Sequence, residues 1–504
     1  MKLISMIKLA AIVLIMSACQ NSATKKVAEK PNVIIIYVDD LGYGDIGCYG
    51  ATGVKTPNLD AMAANGVRFT DAHCGSSTCT PSRYSLLTGE YAFRINAAVL
   101  EGDAPLLINP DSETMPDMFK KAGYTTGVVG KWHLGLGNGQ LNWNEEVKPG
   151  PLEIGFDYSF LVPATGDRVP SVYLEDYKVV GLDPNDPITV SYDSQVGDWP
   201  TGKSNPELVK QLADPQHSGT ITNGMSRIGF MHGGESAIWN DEEMPFVLDK
   251  KAKSFIKDNK ENPFFLYYAY HDIHVPRMPN EKFLGKSSMG VRGDAIAQMD
   301  WCTGEIVKYL EELGIAENTL IIFSSDNGPV LDDGYADQSV ELLGGHKPGG
   351  AYRGGKYSTY EAGTRVPTIT YWPGTVKPST SNALLSHVDI YASLASLLNQ
   401  NLENGASPDG ENQIDAFLGK TTKGKSVMLE DCYNPGLRMG KWKFIPATKR
   451  KADWIANAKG IESGMVNEDQ LFDVEADPAE QNNIAKDNAE IVTEMRAKLK
   501  AIKK

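Results

Sequence analysis

Cys79-Thr80-Pro81-Ser82-Arg83 opens a segment that runs to Gly89 and places a sulfur atom, a helix signal and a permanent cation within one turn. Proline suits the first turn of a helix, so Cys79 lies at the helix mouth, where free backbone N–H groups and the helix dipole favour negative charge. Arg83 follows one turn later and can point back toward the same opening. Taken alone, the segment is more simply a half-buried cysteine capping a helix.

Four other places end in groups that could share that chemistry. Val33 to Val38 is followed by Asp39 and Asp40, Thr125 to Val129 by Lys131 and His133, Phe264 to Tyr270 by His271 and His274, and Thr319 to Ser325 by Asp326 and Asn327. Apolar runs of this length predict buried parallel strands, and open α/β sheets bind ligands just beyond the carboxyl ends of their strands. Any one of these could be ordinary turn chemistry. Together they supply carboxylates, an amide, a lysine and histidines, a mixture that turns alone do not require.

The elements that must position these groups are legible around them. Thr56-Pro57 opens a helix to Ala64 before Gly66, and Thr114-Met115-Pro116 opens another to Ala122 before Gly123. Phe246 to Lys257, Ala295 to Leu313, His387 to Leu398 and Asn488 to Ile502 carry helical signals. Strand and helix alternate, which predicts an α/β fold with a doubly wound, mostly parallel central sheet. Gly135 to Asn240 reads as a long irregular insertion and Asn399 to Gly424 as a connector. Ser426 to Glu430, Lys441 to Ile445 and Leu471 to Asp473 are strand candidates of a smaller C-terminal α+β domain. The expected boundaries are 1–18, 19–30, 31–400 and 401–504.

The 504 residues allow more than one core, and the net charge of -15 argues against nucleic acid as a partner. Lys2 and Lys8 flank a short apolar stretch that leads into Met16-Ser17-Ala18-Cys19, a pattern that reads as an export signal of lipoprotein type (residues 1–18) followed by a polar tether (19–30). The expected location is the periplasm or outer membrane surface, with the membrane touched only through a lipid on Cys19. Cys48, Cys74, Cys79, Cys302 and Cys432 remain, an odd number for an exported chain, so at least one is unpaired or altered.

The segment Cys79 to Gly89 resembles the signature of the formylglycine-dependent sulfatases of the alkaline-phosphatase superfamily, in which this cysteine is oxidised to 3-oxoalanine (formylglycine). D-D-L-G-Y-G-D within Pro31 to Gly50, G-K-W-H-L-G from Gly130, H-D-I-H-V-P from His271, S-D-N-G from Ser325, R-G-G-K from Arg353 and L-F-D-V-E-A-D-P from Leu471 extend the resemblance collinearly over nearly the whole mature chain. One departure is Glu361-Ala362-Gly363, where the family often has Glu-Gly-Gly. The resemblance implies an alkaline-phosphatase-like fold and Ca2+ held by Asp39, Asp40, Asp326, Asn327 and modified Cys79. It also implies that Arg83 and Lys131 hold the modified residue, that His133 acts as base, and that His274 and Lys356 bind sulfate and assist the leaving alcohol. His271 and His346 are candidate substrate contacts, equally readable as satisfied histidines. Asp167 and Arg168 are candidate sugar contacts whose simpler reading is a solvated ion pair.

The implied activity is hydrolysis of a sulfate ester on a sulfated glycan. A formylglycine-generating or anaerobic sulfatase-maturating enzyme would be the second partner. The rival readings are a phosphonate monoester hydrolase or phosphodiesterase of the same superfamily, and an unmatured glycan-binding surface lipoprotein.

Overall fold

The computed structural model describes residues 30–139, 141–402 and 405–504. The predicted signal, most of the tether and Cys19 lie outside the described residues. No helix among those described is long and apolar enough to cross a membrane.

Ten strands form one sheet: β1 (Asn32–Val38), β2 (Val67–Phe69), β3 (Thr125–Lys131), β4 (Tyr158–Val162), β5 (Leu174–Glu175), β6 (Lys178–Val179), β7 (Phe264–Ala269), β8 (Thr319–Ser325), β9 (Thr368–Tyr371) and β10 (Ser379–Ser381). Their order is β10-β2-β9-β8-β1-β7-β3-β4-β5-β6. The five strands from β8 to β4 run parallel, so their carboxyl ends lie along one edge. The four strands read from the sequence are all in this central group.

Every residue of β1 is buried, which is why its sequence is a continuous apolar run and not an alternating one. Val33, Ile35 and Tyr37 face one core; Ile34, Ile36 and Val38 face another. The first core is covered by helices Cys79–Thr88, Met115–Lys121 and Val388–Leu397, the second by Pro57–Ala64, Met244–Asn259 and Gly290–Glu312. Helices on both faces of a mostly parallel sheet make the expected doubly wound fold.

Met428–Glu430, Gly436–Met439, Trp442–Ile445 and Gln470–Asp473 form a second, antiparallel sheet in chain order. The helix Ala489–Ile502 lays Met495 and Leu499 on it, in a core that also takes Tyr91 and Val388 from the main body. This is the smaller C-terminal α+β unit.

Two expectations are corrected. The stretch Gly135–Asn240 is not wholly irregular, because it contains β4, a fully integrated parallel strand. The connector carries a one-turn helix, Ile414–Phe417, whose Phe417 is buried in the main core.

Candidate active site

The carboxyl edge of the five parallel strands gathers the predicted groups. Asp39 and Asp40 continue β1, and Asp40 takes the left-handed conformation at φ 59°. Its Oδ1 accepts from Asn327 Nδ2 at 2.7 Å, and its backbone N–H donates to Asp326 Oδ1 at 3.2 Å. Arg83 joins them from its helix, with Nε donating to Asp326 Oδ2 at 3.0 Å and NH2 lying 2.8 Å from the same oxygen. Lys131 donates to Asp39, and Lys356 donates to Asp40 Oδ2 at 2.9 Å. All of these side chains are buried.

This cluster is electrostatically incomplete. Asp39 Oδ1 and Asn327 Oδ1 are buried with no hydrogen-bond partner among the described residues. Burial, and then repulsion from Asp326, pushes the Asp39 carboxyl well above its usual range against the pull of Lys131. Carboxylate and amide oxygens left bare in one place are the donor set of a hard cation, so the residues fit calcium. Ligand atoms of Asp39, Asp40 and His274 also lie within 4.8 Å of one another.

Cys79 sits at the mouth of its helix, 1% exposed, with Sγ 3.4 Å from His133 Nδ1. Burial pushes its thiol pKa up, and Lys131 and Lys356 pull it back less strongly. His133 Nε2 lies 2.9 Å from the Leu100 carbonyl, which can only accept, so the proton is on Nε2. Burial, with Lys131 and Arg168 nearby, holds the ring neutral well below its ordinary pKa. A lone pair on Nδ1 therefore faces residue 79, the arrangement of a general base.

His274 donates from Nδ1 to the Val275 carbonyl at 2.7 Å and turns Nε2 toward Asp40, 3.8 Å away. Beyond β4, Thr165 and Arg168 close on Asp167, and Arg168 NH1 is 2.8 Å from its Oδ1. The Asp167–Arg168 pair is not a solvated one: Asp167 is 2% exposed and Arg168 depresses the pKa of His133. His271 accepts the Gly166 N–H at 2.9 Å and so shapes that loop. His346 is held elsewhere, its Nε2 2.8 Å from Asp45 Oδ1, which also accepts from Arg292.

A profile of the sulfatase family matches residues 31–400. The chain belongs to the sulfatase family. It is 51% identical over 480 residues to the N-acetylgalactosamine-6-O-sulfatase of Bacteroides thetaiotaomicron, covering 94% of each chain. Human arylsulfatase A is 31% identical over 481 residues, covering 91% of this chain and 84% of that one. A solved Bacteroides thetaiotaomicron structure, from work on the metabolism of multiple glycosaminoglycans, superposes at TM-score 0.93 with 50% identity over 94% of this chain and all of that one. The phosphonate monoester hydrolase of Agrobacterium radiobacter, at TM-score 0.56 and 17% identity, shares the fold alone over 94% of this chain and 95% of that one. The protein is thus a sulfuric ester hydrolase on an alkaline-phosphatase-like fold.

Further buried groups of the sulfatase, which no motif exposes, contact the predicted site residues. Asp333 accepts from Lys356 at 3.1 Å and lies 2.6 Å from Lys459 Nζ. His217 reaches Asp167 at 3.4 Å and Asp214 at 2.7 Å. Neither Asp333 nor His217 lies at the end of an apolar run, and Lys459 comes from the C-terminal unit, so spacing carries no signal for them. All five described cysteines of the sulfatase are free, Cys79 among them.

Proposed function

We propose that this sulfatase removes a sulfate ester from a sulfated sugar, with the 6-sulfate of N-acetylgalactosamine as the leading substrate. Cys79 would be converted to formylglycine, and calcium held by Asp39, Asp40, Asp326, Asn327 and the modified residue 79. The bare, buried oxygens of Asp39 and Asn327 beside Cys79 carry the chemical part of this reading. The 51% identical N-acetylgalactosamine-6-O-sulfatase supports the sugar.

When in place, calcium supplies charge neutralisation at the sulfate oxygens, and the hydrated aldehyde supplies a hydroxyl nucleophile with a second hydroxyl for release. The chain's own residues do the rest. Lys131, Lys356 and Arg83 offset the negative charge of the sulfate while the surrounding burial strengthens each contact. His133 Nδ1 takes the proton from residue 79, and the bond from Nε2 to Leu100 fixes that tautomer. His274, whose Nδ1 proton is held by the Val275 carbonyl, turns a bare Nε2 toward Asp40 and positions the ester, while the Lys356 ammonium can supply the proton to the departing sugar oxygen.

The test is sulfate release from 6- and 4-sulfated N-acetylgalactosamine beside an aryl phosphate diester and a phosphonate ester, with peptide mass spectrometry of residue 79 in the same preparation. Preferred release from the 6-sulfate with an aldehyde at residue 79 is expected. Preferred turnover of the phosphonate ester, or an unmodified thiol in fully active protein, overturns the reading. The export and lipidation of the chain is a further part of the proposal: a fatty-acid analogue should label the wild type and miss Cys19→Ala, and an unlabelled wild type rejects it.

A further inference from the structure

Beside the catalytic centre, the main body and the C-terminal unit leave a groove of about 390 Å³ between them. One wall includes Thr78 and Pro81, which bracket Cys79 and its neighbour Thr80 in the chain, and Val99, next to the Leu100 that fixes His133. The other wall is Tyr433, Arg450 and Lys503.

Tyr433 links this groove to the centre. Its ring stacks on Tyr357, the residue after Lys356, with centroids 6.4 Å apart and planes at 24°. Tyr357 is held there by a left-handed backbone at φ 72° and an N–H that donates to Ser77 O at 2.8 Å. A tyrosine keeps that conformation only where the surrounding structure over-determines it. Trp454 packs its edge against both tyrosines, at 5.0 Å and 6.2 Å, yet remains 44% exposed. Trp454 is therefore the exposed ring of the row, beside the half-buried Tyr433 and Tyr357.

Cations complete the feature. The Arg450 guanidinium rests 5.0 Å from the centre of the Tyr433 ring and donates to the Tyr433 carbonyl at 3.2 Å. It has no carboxylate partner among the described residues. Lys503 acts electrostatically on Asp431, an acid buried in the same groove. In a chain of net charge -15, two exposed cations converging on one groove are a local reversal of the protein's field.

Aromatic faces carry negative potential and pack against the C–H face of a pyranose, while a guanidinium prefers carboxylate or sulfate oxygens in a plane. We propose that this groove is a second sugar subsite, which takes the neighbouring, negatively charged residue of an oligosaccharide while the reacting sulfate ester lies at residue 79. The inference rests on the sulfated-sugar reading of the active site. It predicts that the enzyme reads two sugars, one for chemistry and one for charge.

The test compares kcat/KM on 6-sulfated N-acetylgalactosamine with kcat/KM on a disaccharide that joins the same sugar to a uronate. The wild type should favour the disaccharide. In Arg450→Ala the ratio should fall roughly tenfold, the loss expected for one charge-assisted contact, and in Trp454→Ala it should fall in the same direction. The wild-type preference should also shrink with added salt. A ratio unchanged in both variants, or equal losses on both substrates, overturns the subsite. Binding is measured separately, by titrating inert Cys79→Ala protein with a tetrasaccharide of alternating uronate and 6-sulfated N-acetylgalactosamine, with and without Arg450→Ala and Lys503→Ala. Binding that the two substitutions abolish supports the subsite even if the wild type hydrolyses no sulfated sugar, a result that would reject the active-site reading alone. Undiminished binding overturns the subsite.

Discussion

Lys459 Nζ lies 2.6 Å from Asp333 Oδ1, while the other oxygen of Asp333 holds Lys356 Nζ at 3.1 Å. One carboxylate thus shares itself between the C-terminal unit and the catalytic centre. Burial opposes its charge, but the two lysines outweigh burial and hold the Asp333 carboxyl far below its usual range.

Removing Lys459 should leave Asp333 with a single strong partner and draw Lys356 away from Asp40. Lys459→Ala is expected to lower kcat/KM by roughly tenfold, the usual cost of losing a supporting contact behind a reactive group. Lys459→Arg should restore most of it. A purely structural role would lower the melting temperature and leave kcat/KM of the folded fraction unchanged.

Calcium should be part of the folded centre. Asp39, Asp40 and Asp326 converge on one another, and Asp39 keeps an oxygen with no partner. Chelation is expected to abolish activity and to lower the melting temperature by several degrees, because ligand binding to the native state alone stabilises it by mass action. Calcium should restore both, and magnesium, which demands tighter octahedral geometry, should restore less. Full activity in exhaustively demetallated protein would refute the ligand set.

What the sequence made legible follows from how each feature is built. The strand Thr319–Ser325 could be read to the residue because a buried parallel strand needs both faces apolar and Asp326 ends the run. Tyr158–Val162 is equally central, but it is five residues long inside a polar stretch and looks like loop. Metal-type groups were readable because covalent continuity places them at strand ends. Asp333 and Lys459 were not, since their partnership crosses 126 residues of chain and exists only after the two units dock. His346 was readable either as a substrate contact or as a satisfied histidine, because its partner Asp45 is 301 residues away and no local pattern announces it.

Glu361 should be the keystone between the two units. It is buried, with carboxylate oxygens 2.7 Å from Arg365 and 2.8 Å from Arg438, and 3.4 Å from Lys443. Its backbone N–H donates to Glu480 at 2.7 Å, and burial pushes the Glu480 pKa up to about 8. Glu361→Ala leaves three buried cations to Asp71, which pairs with Arg365 at 2.6 Å and Arg438 at 3.2 Å, and to Glu430, 2.7 Å from Lys443. A loss of roughly 3–5 kcal/mol in urea unfolding is expected, the cost of breaking a buried pair from one side. A loss below about 1 kcal/mol would mean that Asp71 and Glu430 hold these cations without Glu361.

His217 should make stability fall as pH rises through the alkaline side of neutrality. Its backbone and Nδ1 both meet Asp214, at 2.9 Å and 2.7 Å, and Nε2 faces Asp167 at 3.4 Å. Burial alone would lower its pKa, but the hydrogen bonds to Asp167 and Asp214 outweigh it and raise the value to about 9. The folded state therefore holds a proton that the unfolded chain releases near pH 6.5. That contribution is fully present below about pH 6.5 and is lost as pH rises through about 9. Its size is on the order of 1–3 kcal/mol, since a tenfold change in proton affinity corresponds to about 1.4 kcal/mol and the partners relax when the ring is lost. Denaturant unfolding at pH 6, 7.5 and 9.5 should show wild type losing more than His217→Gln over that range, with the two converging at pH 9.5. Parallel curves for the two proteins would show that His217 is not the proton carrier and that Asp167 is held by Arg168 alone.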